Sequence, residues 1–238
     1  MDYKDVGFLH EQFVNSAKIY PSKTAVVDKN QGSLSYKELD LLSNVLARVL
    51  QEKGVKENVV VVIYMDKCIQ YVVSYISILK AGGGYLPLDI SYPENLIKDI
   101  LTESEPSIII TKSSFLKNFH SYKNVLNIIC LDDHEYQLEI ERLAPKTKRE
   151  LVTNVSLESI AFVVYSSGTT GKPKGKVEAS LFIYNNLILS SSGIVVPLRA
   201  PIISYLSRHE GFPYGENEKE AANIFFVWEL LRPLMKGI

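Results

Sequence analysis

The sequence predicts an α/β fold: a largely parallel sheet flanked by helices. Three observations carry this reading. Short runs rich in Val and Ile recur along the chain, helix-period segments lie between several of them, and the composition is that of an ordinary globular protein. The 238 residues are 46% hydrophobic and carry a formal net charge of −1, with 13 glycines and 10 prolines. Collagen-like, low-complexity and broadly disordered classes are therefore excluded, and the length suits one large or two small domains. No linker is sharp enough to divide the chain, so residues 1–238 are read as one unit.

The elements follow in order. Thr24–Asp28, Asn58–Tyr64, Ser107–Thr111, Val125–Leu131 and Ser159–Tyr165 read as buried strands. Ser35-Tyr36-Lys37-Glu38 is a capping-box pattern, because the Ser hydroxyl and the Glu carboxylate can each satisfy the other's orphan amide. Leu39, Leu42, Leu46, Val49 and Leu50 then share a helical face, and Gly54 offers the stop. A second helix follows Asp66, with Ile69, Val72, Val73, Ile76 and Leu79 at helical spacing and Gly82 at its close. A third starts at Pro93 and turns Leu96, Ile97, Ile100 and Leu101 inward. The polar stretch 132–159 reads as a surface excursion with one helix near Leu138–Leu143. From about Ser190 to Glu220 no clean period is found.

Several function classes lose their physical basis. A near-neutral charge lacks the basic footprint that nucleic acid or an anionic membrane requires. The longest apolar run, Val59–Met65, falls far short of the ~18 residues of a spanning helix. The opening Met1-Asp2-Tyr3-Lys4-Asp5 does not read as a secretory signal, and two cysteines, Cys68 and Cys130, fit a reduced compartment; a cytoplasmic protein is expected. Four scattered histidines and no Cys-x-x-Cys leave no zinc pattern, and no metal ligands are assigned. No Gly-x-Ser-x-Gly elbow is present, and Cys68 reads as a small core residue.

One segment carries recognisable chemistry. After Ala161-Phe162-Val163-Val164-Tyr165 comes Ser166-Ser167-Gly168-Thr169-Thr170-Gly171-Lys172-Pro173-Lys174-Gly175. Glycines let backbone amides approach an anion, hydroxyls add donors, and lysines add charge, so the segment can cradle phosphates. A solvated turn has the same composition, and both readings stand on residue types alone. It is not a Walker A loop, since Ser166 stands at the first Gly position and Pro173 at the last hydroxyl position. A dinucleotide Gly-x-Gly-x-x-Gly is also absent, because Gly82 and Gly84 are followed by Pro87. An unusual phosphotransferase is disfavoured, as no acidic metal ligands accompany the loop in a recognisable arrangement.

Residues 165–175 resemble the signature loop of the AMP-binding, adenylate-forming superfamily, most nearly in the adenylation domains of nonribosomal peptide synthetases and synthetase-like proteins. Leu34-Ser35-Tyr36-Lys37-Glu38-Leu39-Asp40 resembles the family's first core motif. Leu79 through Asp89, with Tyr92-Pro93 after it, resembles the second; Val227-Trp228-Glu229-Leu230, with Pro233-Leu234 and Gly237, resembles the fourth. The openings Leu9-His10-Glu11-Gln12-Phe13 and Ala25-Val26-Val27-Asp28 agree as well, and the resemblance weakens from about Lys176 to Asn223. It implies ATP-dependent activation of a carboxylic or amino acid as an acyl-adenylate, with Mg2+, for transfer to a thiol such as carrier phosphopantetheine or CoA. It implies that Ser166, Ser167, Gly168, Thr169, Thr170, Gly171, Lys172 and Lys174 hold the ATP phosphates, Lys172 being the position where relatives vary. A carrier-protein domain in the parent protein is a further implied partner.

The departures shape the expectation. Relatives continue from the loop into Val-x-Val-Glu-His; here Lys176-Val177-Glu178-Ala179 follows, without the His. Leu96 stands where an Arg is usual, and Ile224 stands where peptide-synthetase relatives place an Asp against the substrate's α-ammonium. The sequence ends at Ile238, soon after the fourth motif, whereas family enzymes carry further motifs. The expectation is an incomplete N-terminal subdomain with no catalytic residue assigned. A non-catalytic product that acts only through binding, or is inert, is the alternative. Tyr214-Gly215-Glu216-Asn217-Glu218 echoes the family's later Tyr-Gly-Pro-Thr-Glu motif but precedes the fourth, and Pro213 and Gly215 favour a turn.

Overall fold

The computed structural model describes residues 7–122, 126–146, 151, 153–165, 188–189, 193–215, 218–220 and 230–237. In chain order the elements are α1 (Leu9–Ile19), β1 (Thr24–Asp28), β2 (Gly32–Ser35), α2 (Tyr36–Glu52), β3 (Val60–Tyr64), α3 (Ile69–Ala81), β4 (Gly84–Pro87) and α4 (Glu94–Ser104). Then come β5 (Ile108–Thr111), a 3-10 segment Ser113–Tyr122, β6 (Asn127–Cys130), α5 (His134–Leu143), β7 (Ile160–Tyr165), β8 (Ile188–Leu189), β9 (Gly193–Pro197), α6 (Arg199–Gly211) and α7 (Leu231–Leu234).

Seven strands form one sheet in the order β6-β5-β3-β4-β7-β9-β8. The first five run parallel, and β9 and β8 close the far side antiparallel. Two-residue alternation decides how the sheet is covered, since successive side chains point to opposite faces. Val61, Ile63, Tyr85, Ile108 and Ile110 share a core with α1, α2, α3 and α6, while Val62, Tyr64, Leu86, Ile109 and Val163 pack with Ile97, Ile100 and Leu101 of α4 and with Phe119. Burial on both faces explains why these strands read as unbroken apolar runs.

The helices carry their sequence signals. At the start of α2, Ser35 accepts from the Glu38 amide at 3.3 Å and the Glu38 carboxylate accepts from the Ser35 amide at 2.8 Å, so the predicted capping box is formed. α3 ends at Gly82, whose φ of 89° is the left-handed cap conformation that glycine adopts without strain. The periodicity of α3 predicts one buried face, but the helix is buried nearly all round, including Tyr71, Tyr75, Ile78 and Lys80, because it lies between the sheet and the α1–α2 layer.

Three expectations are corrected. Thr24–Asp28 is a strand with the predicted bounds, but it pairs antiparallel with β2 in a separate two-stranded ribbon, and Val27 is 67% exposed. The helix expected near Leu138–Leu143 starts earlier, where the Asp133 carboxylate caps it by accepting from the Tyr136 amide at 2.8 Å. The stretch without a clean period contains both β9 and α6; α6 buries only Pro201, Ile202 and Tyr205, too few for a strong stripe.

Candidate functional site

The phosphate-loop residues Ser166, Ser167, Gly168, Thr169, Thr170, Gly171, Lys172 and Lys174 lie outside the described residues, as do Lys176-Val177-Glu178-Ala179 and Ile224. The structure does describe the strand that leads into the loop. β7 lies between β4 and β9, Tyr85 pairs with Phe162, and Tyr165 pairs with Gly193. Ile63 pairs with Pro87, Tyr64 with Thr111, and Thr111 with Cys130. Tyr165 therefore emerges on the edge of the sheet where the other parallel strands also end.

That carboxyl edge is where open α/β sheets bind ligands, at the point where chain connections diverge to opposite sides. Here the divergence falls between β3, whose chain continues toward β4, and β5, whose chain continues toward β6. Within two residues of the ends of β3, β4, β5 and β6 stand the charged side chains Asp66, Asp89, Lys112 and Asp132. The Lys112 amine donates to the two Asp66 carboxylate oxygens at 3.0 and 3.3 Å. Burial pulls that amine down, yet Asp66, with Cys68 nearby, outweighs it and leaves Lys112 above the ordinary lysine value. The Ser113 amide and hydroxyl donate to Asp132 at 2.7 and 2.8 Å, and the Cys130 thiol donates to the same carboxylate at 3.1 Å. Burial, then the Asp132 charge, pushes the Cys130 thiol up to about 12, so it stays protonated at neutral pH. The Asp89 carboxylate, past β4, accepts from the Ser91 hydroxyl and amide at 2.7 and 2.8 Å, which holds its pKa below the usual carboxylate value. Sequence reasoning missed Asp66, Lys67, Lys112, Ser113 and Asp132 as a group; the available signal was that each follows closely on a predicted strand.

The first and second sequence motifs meet elsewhere, inside the helical layer. Lys80, 2% exposed, donates to the Asp40 carboxylate at 2.6 Å, the Ser43 hydroxyl at 2.8 Å and the Asn44 side-chain carbonyl at 2.8 Å. Its ammonium also lies 5.0 Å from the Phe13 ring centroid. Burial lowers its pKa to about 8 while Asp40 resists the change. Through Asp40 and Lys80 these two motifs hold α2 against α3, whereas Asp89 of the second motif lies at the carboxyl edge.

In the segment that echoes a later motif, Glu216 and Asn217 lie outside the described residues, and the residues on either side are held by side-chain contacts. The Gly215 amide donates to Glu218 at 2.9 Å, Tyr214 pairs with the Glu220 carboxylate, and the Arg232 guanidinium sits 5.1 Å from the Tyr214 ring centroid. Among the described residues no group of three or more His, Cys, Asp or Glu side chains gathers as a metal site, and no helix is long and apolar enough to cross a membrane.

Comparison with known proteins decides the family. Residues 13–193 match the AMP-binding enzyme family. The chain belongs to that family. Over 236 residues this AMP-binding chain is 38% identical to tyrocidine synthase 1 of Brevibacillus parabrevis, an alignment covering 96% of the chain and 19% of the relative. It is 32% identical over 234 residues to glycine betaine reductase ATRR of Emericella nidulans, covering 98% of the chain and 16% of the relative. Among solved structures it resembles the AMPPNP-bound form of the nonribosomal peptide synthetase FmoA3, with a TM-score of 0.71 at 21% identity over 97% of the chain and 22% of that structure. The chain thus spans about a fifth of the length of these relatives, and the predicted α/β fold is that of adenylation domains.

Proposed function

We propose that this chain binds ATP and takes part in activating a carboxylic or amino acid as an acyl-adenylate, for transfer to a thiol of carrier phosphopantetheine or CoA. The observation that supports the reading is the eleven-residue sequence Tyr165 to Gly175 in a chain of the AMP-binding family, its first residue being the last of β7 at the carboxyl edge of the sheet. A structural neighbour with AMPPNP bound supports the nucleotide. Ser166, Ser167, Gly168, Thr169, Thr170, Gly171, Lys172 and Lys174 would hold the β- and γ-phosphates through amides, hydroxyls and ammonium groups. The chemistry asks for alignment and charge neutralisation more than covalent help. Mg2+ entering with the nucleotide would neutralise part of the phosphate charge. A carrier domain is the expected partner in a parent protein, and the two free, buried cysteines support a reducing cytoplasmic setting.

Ile224 in place of the usual Asp cannot pair with an α-ammonium, so the substrate is expected not to be an ordinary α-amino acid bound in that way. A relative named for glycine betaine, whose nitrogen is quaternary and donates no N–H, is compatible with such a site. ATP–pyrophosphate exchange over a panel of carboxylic and amino acids with Mg2+ tests both statements. Exchange with an acid lacking a free α-ammonium is the expected result. A panel in which common α-amino acids gave the strongest signal would overturn the substrate reading. ATP binding without exchange for any acid would favour the non-catalytic alternative.

A further inference from the structure

We propose that Gly193 is a positioning residue for ATP binding: its lack of a side chain makes the seat on which the Tyr165 ring lies, and that seat fixes the point where the chain leaves β7. The role rests on the nucleotide reading proposed above and adds to it a residue outside the eleven-residue run.

β7 runs between β4 and β9, and a glycine of each neighbour lies against one of its ends. At the amino end a Cβ on Gly84 would stand 2.4 Å from the Ile160 Cγ2 and 3.2 Å from the Ile160 carbonyl oxygen. At the carboxyl end Gly193 pairs directly with Tyr165 in the antiparallel ladder. A Cβ there would stand 2.8 Å from the Tyr165 Cζ and 3.1 Å from both its Cε2 and its hydroxyl oxygen, well inside the contact distance of packed atoms. Gly193 is buried and has no positive φ, so the position needs glycine for space and not for backbone conformation.

The two contacts differ in what must yield. At Gly84 the obstacle includes backbone, so an added methyl forces the strands apart. At Gly193 the obstacle is the Tyr165 side chain alone, so the ring can be pushed off while the strands stay paired. That ring is half-buried and packs against the core that contains Val62, Leu86 and Val163, which makes it the anchor of the last residue of β7. Ser166 follows directly, and the direction in which Tyr165 is held sets the direction in which the phosphate-binding run departs. Misplacing a positioned group by about 1 Å can cost about a hundred-fold.

The test measures ATP affinity by calorimetry with Mg2+, and the urea midpoint, for the whole chain and its Gly193→Ala, Gly84→Ala and Tyr165→Ala variants. Gly193→Ala is expected to bind ATP roughly ten-fold or more weakly with a small loss of midpoint. Gly84→Ala is expected to lose more stability and keep its ATP affinity. Tyr165→Ala removes the ring from the other side of the contact and weakens ATP binding by a similar factor. The double variant Gly193→Ala/Tyr165→Ala then binds within about two-fold of either single variant, because both remove the same seat. Unchanged affinity in Gly193→Ala, or single losses that multiply in the double variant, would overturn the positioning role while leaving the nucleotide reading intact. A parent chain that binds no ATP would overturn that reading and the role together.

Discussion

At the scale of single residues, the buried Lys80–Asp40 pair shows how a functional-looking motif can be structural. Lys80 is enclosed and makes charge-assisted hydrogen bonds, whereas the Asp40 side chain is 28% exposed and can be hydrated. Breaking a buried pair typically costs about 3–5 kcal/mol because it strands the remaining charge; loss of the carboxylate strands the enclosed ammonium, whereas loss of the ammonium leaves a carboxylate that water can reach. Asp40→Asn is therefore expected to lower the urea midpoint much more than Lys80→Met; equal losses would contradict this asymmetry. Lys80 is the one charged residue in the segment 69–81, but its partner on α2 could not be located before the helices were packed. His10 adds a pH dependence. Burial, then the Lys80 charge, lowers its pKa to about 4 from 6.5. The unfolded chain binds the proton more readily, so stability is complete above about pH 6.5 and falls as the pH drops toward 4, by about 3 kcal/mol in all. A His10→Phe variant should lose this part of the acid sensitivity in unfolding titrations; an unchanged acid profile would show that His10 does not contribute.

At the scale of elements, the sequence was most legible where one physical requirement dominated. The capping box of α2, the glycine stop of α3 and the apolar strands β3, β5 and β7 were each readable because burial or an orphan amide demanded particular residues. β1 was misread because a short Ala-Val-Val run fits a buried strand and an outlying ribbon equally well. β4 was not among the expected strands, since Gly84-Tyr85-Leu86-Pro87 offers little periodicity and its burial comes from neighbouring strands. The fit there is close. A Cβ at Gly84 would lie 2.4 Å from the Ile160 Cγ2 and 3.2 Å from the Ile160 carbonyl oxygen. Overpacking of this kind costs roughly 1–3 kcal/mol. Gly84→Ala should lower the thermal midpoint, and an unchanged midpoint would mean that β4 and β7 are not held at that spacing.

At the scale of the whole molecule, the sheet order brings the ends of five parallel strands to one edge, where β7 ends next to β4 and the Asp66–Lys112 and Ser113–Asp132 contacts join the ends of β3, β5 and β6. Strand order depends on contacts far apart in the chain, so a phosphate loop could be expected from local residue types and a resemblance, while the polar contacts of the carboxyl edge could not. Burial of the sheet on both faces accounts for the fold, and the loop accounts for the proposed chemistry.

The most direct test of that chemistry is the ATP affinity of the whole chain and of its Lys174→Ala variant, measured by calorimetry with Mg2+ present. A hydrogen bond to a charged group is worth about 1.5–3 kcal/mol, so the variant should bind roughly 10- to 150-fold more weakly while its unfolding curve is unchanged. Equal ATP affinity in a folded variant would contradict the claim that this loop grips the triphosphate.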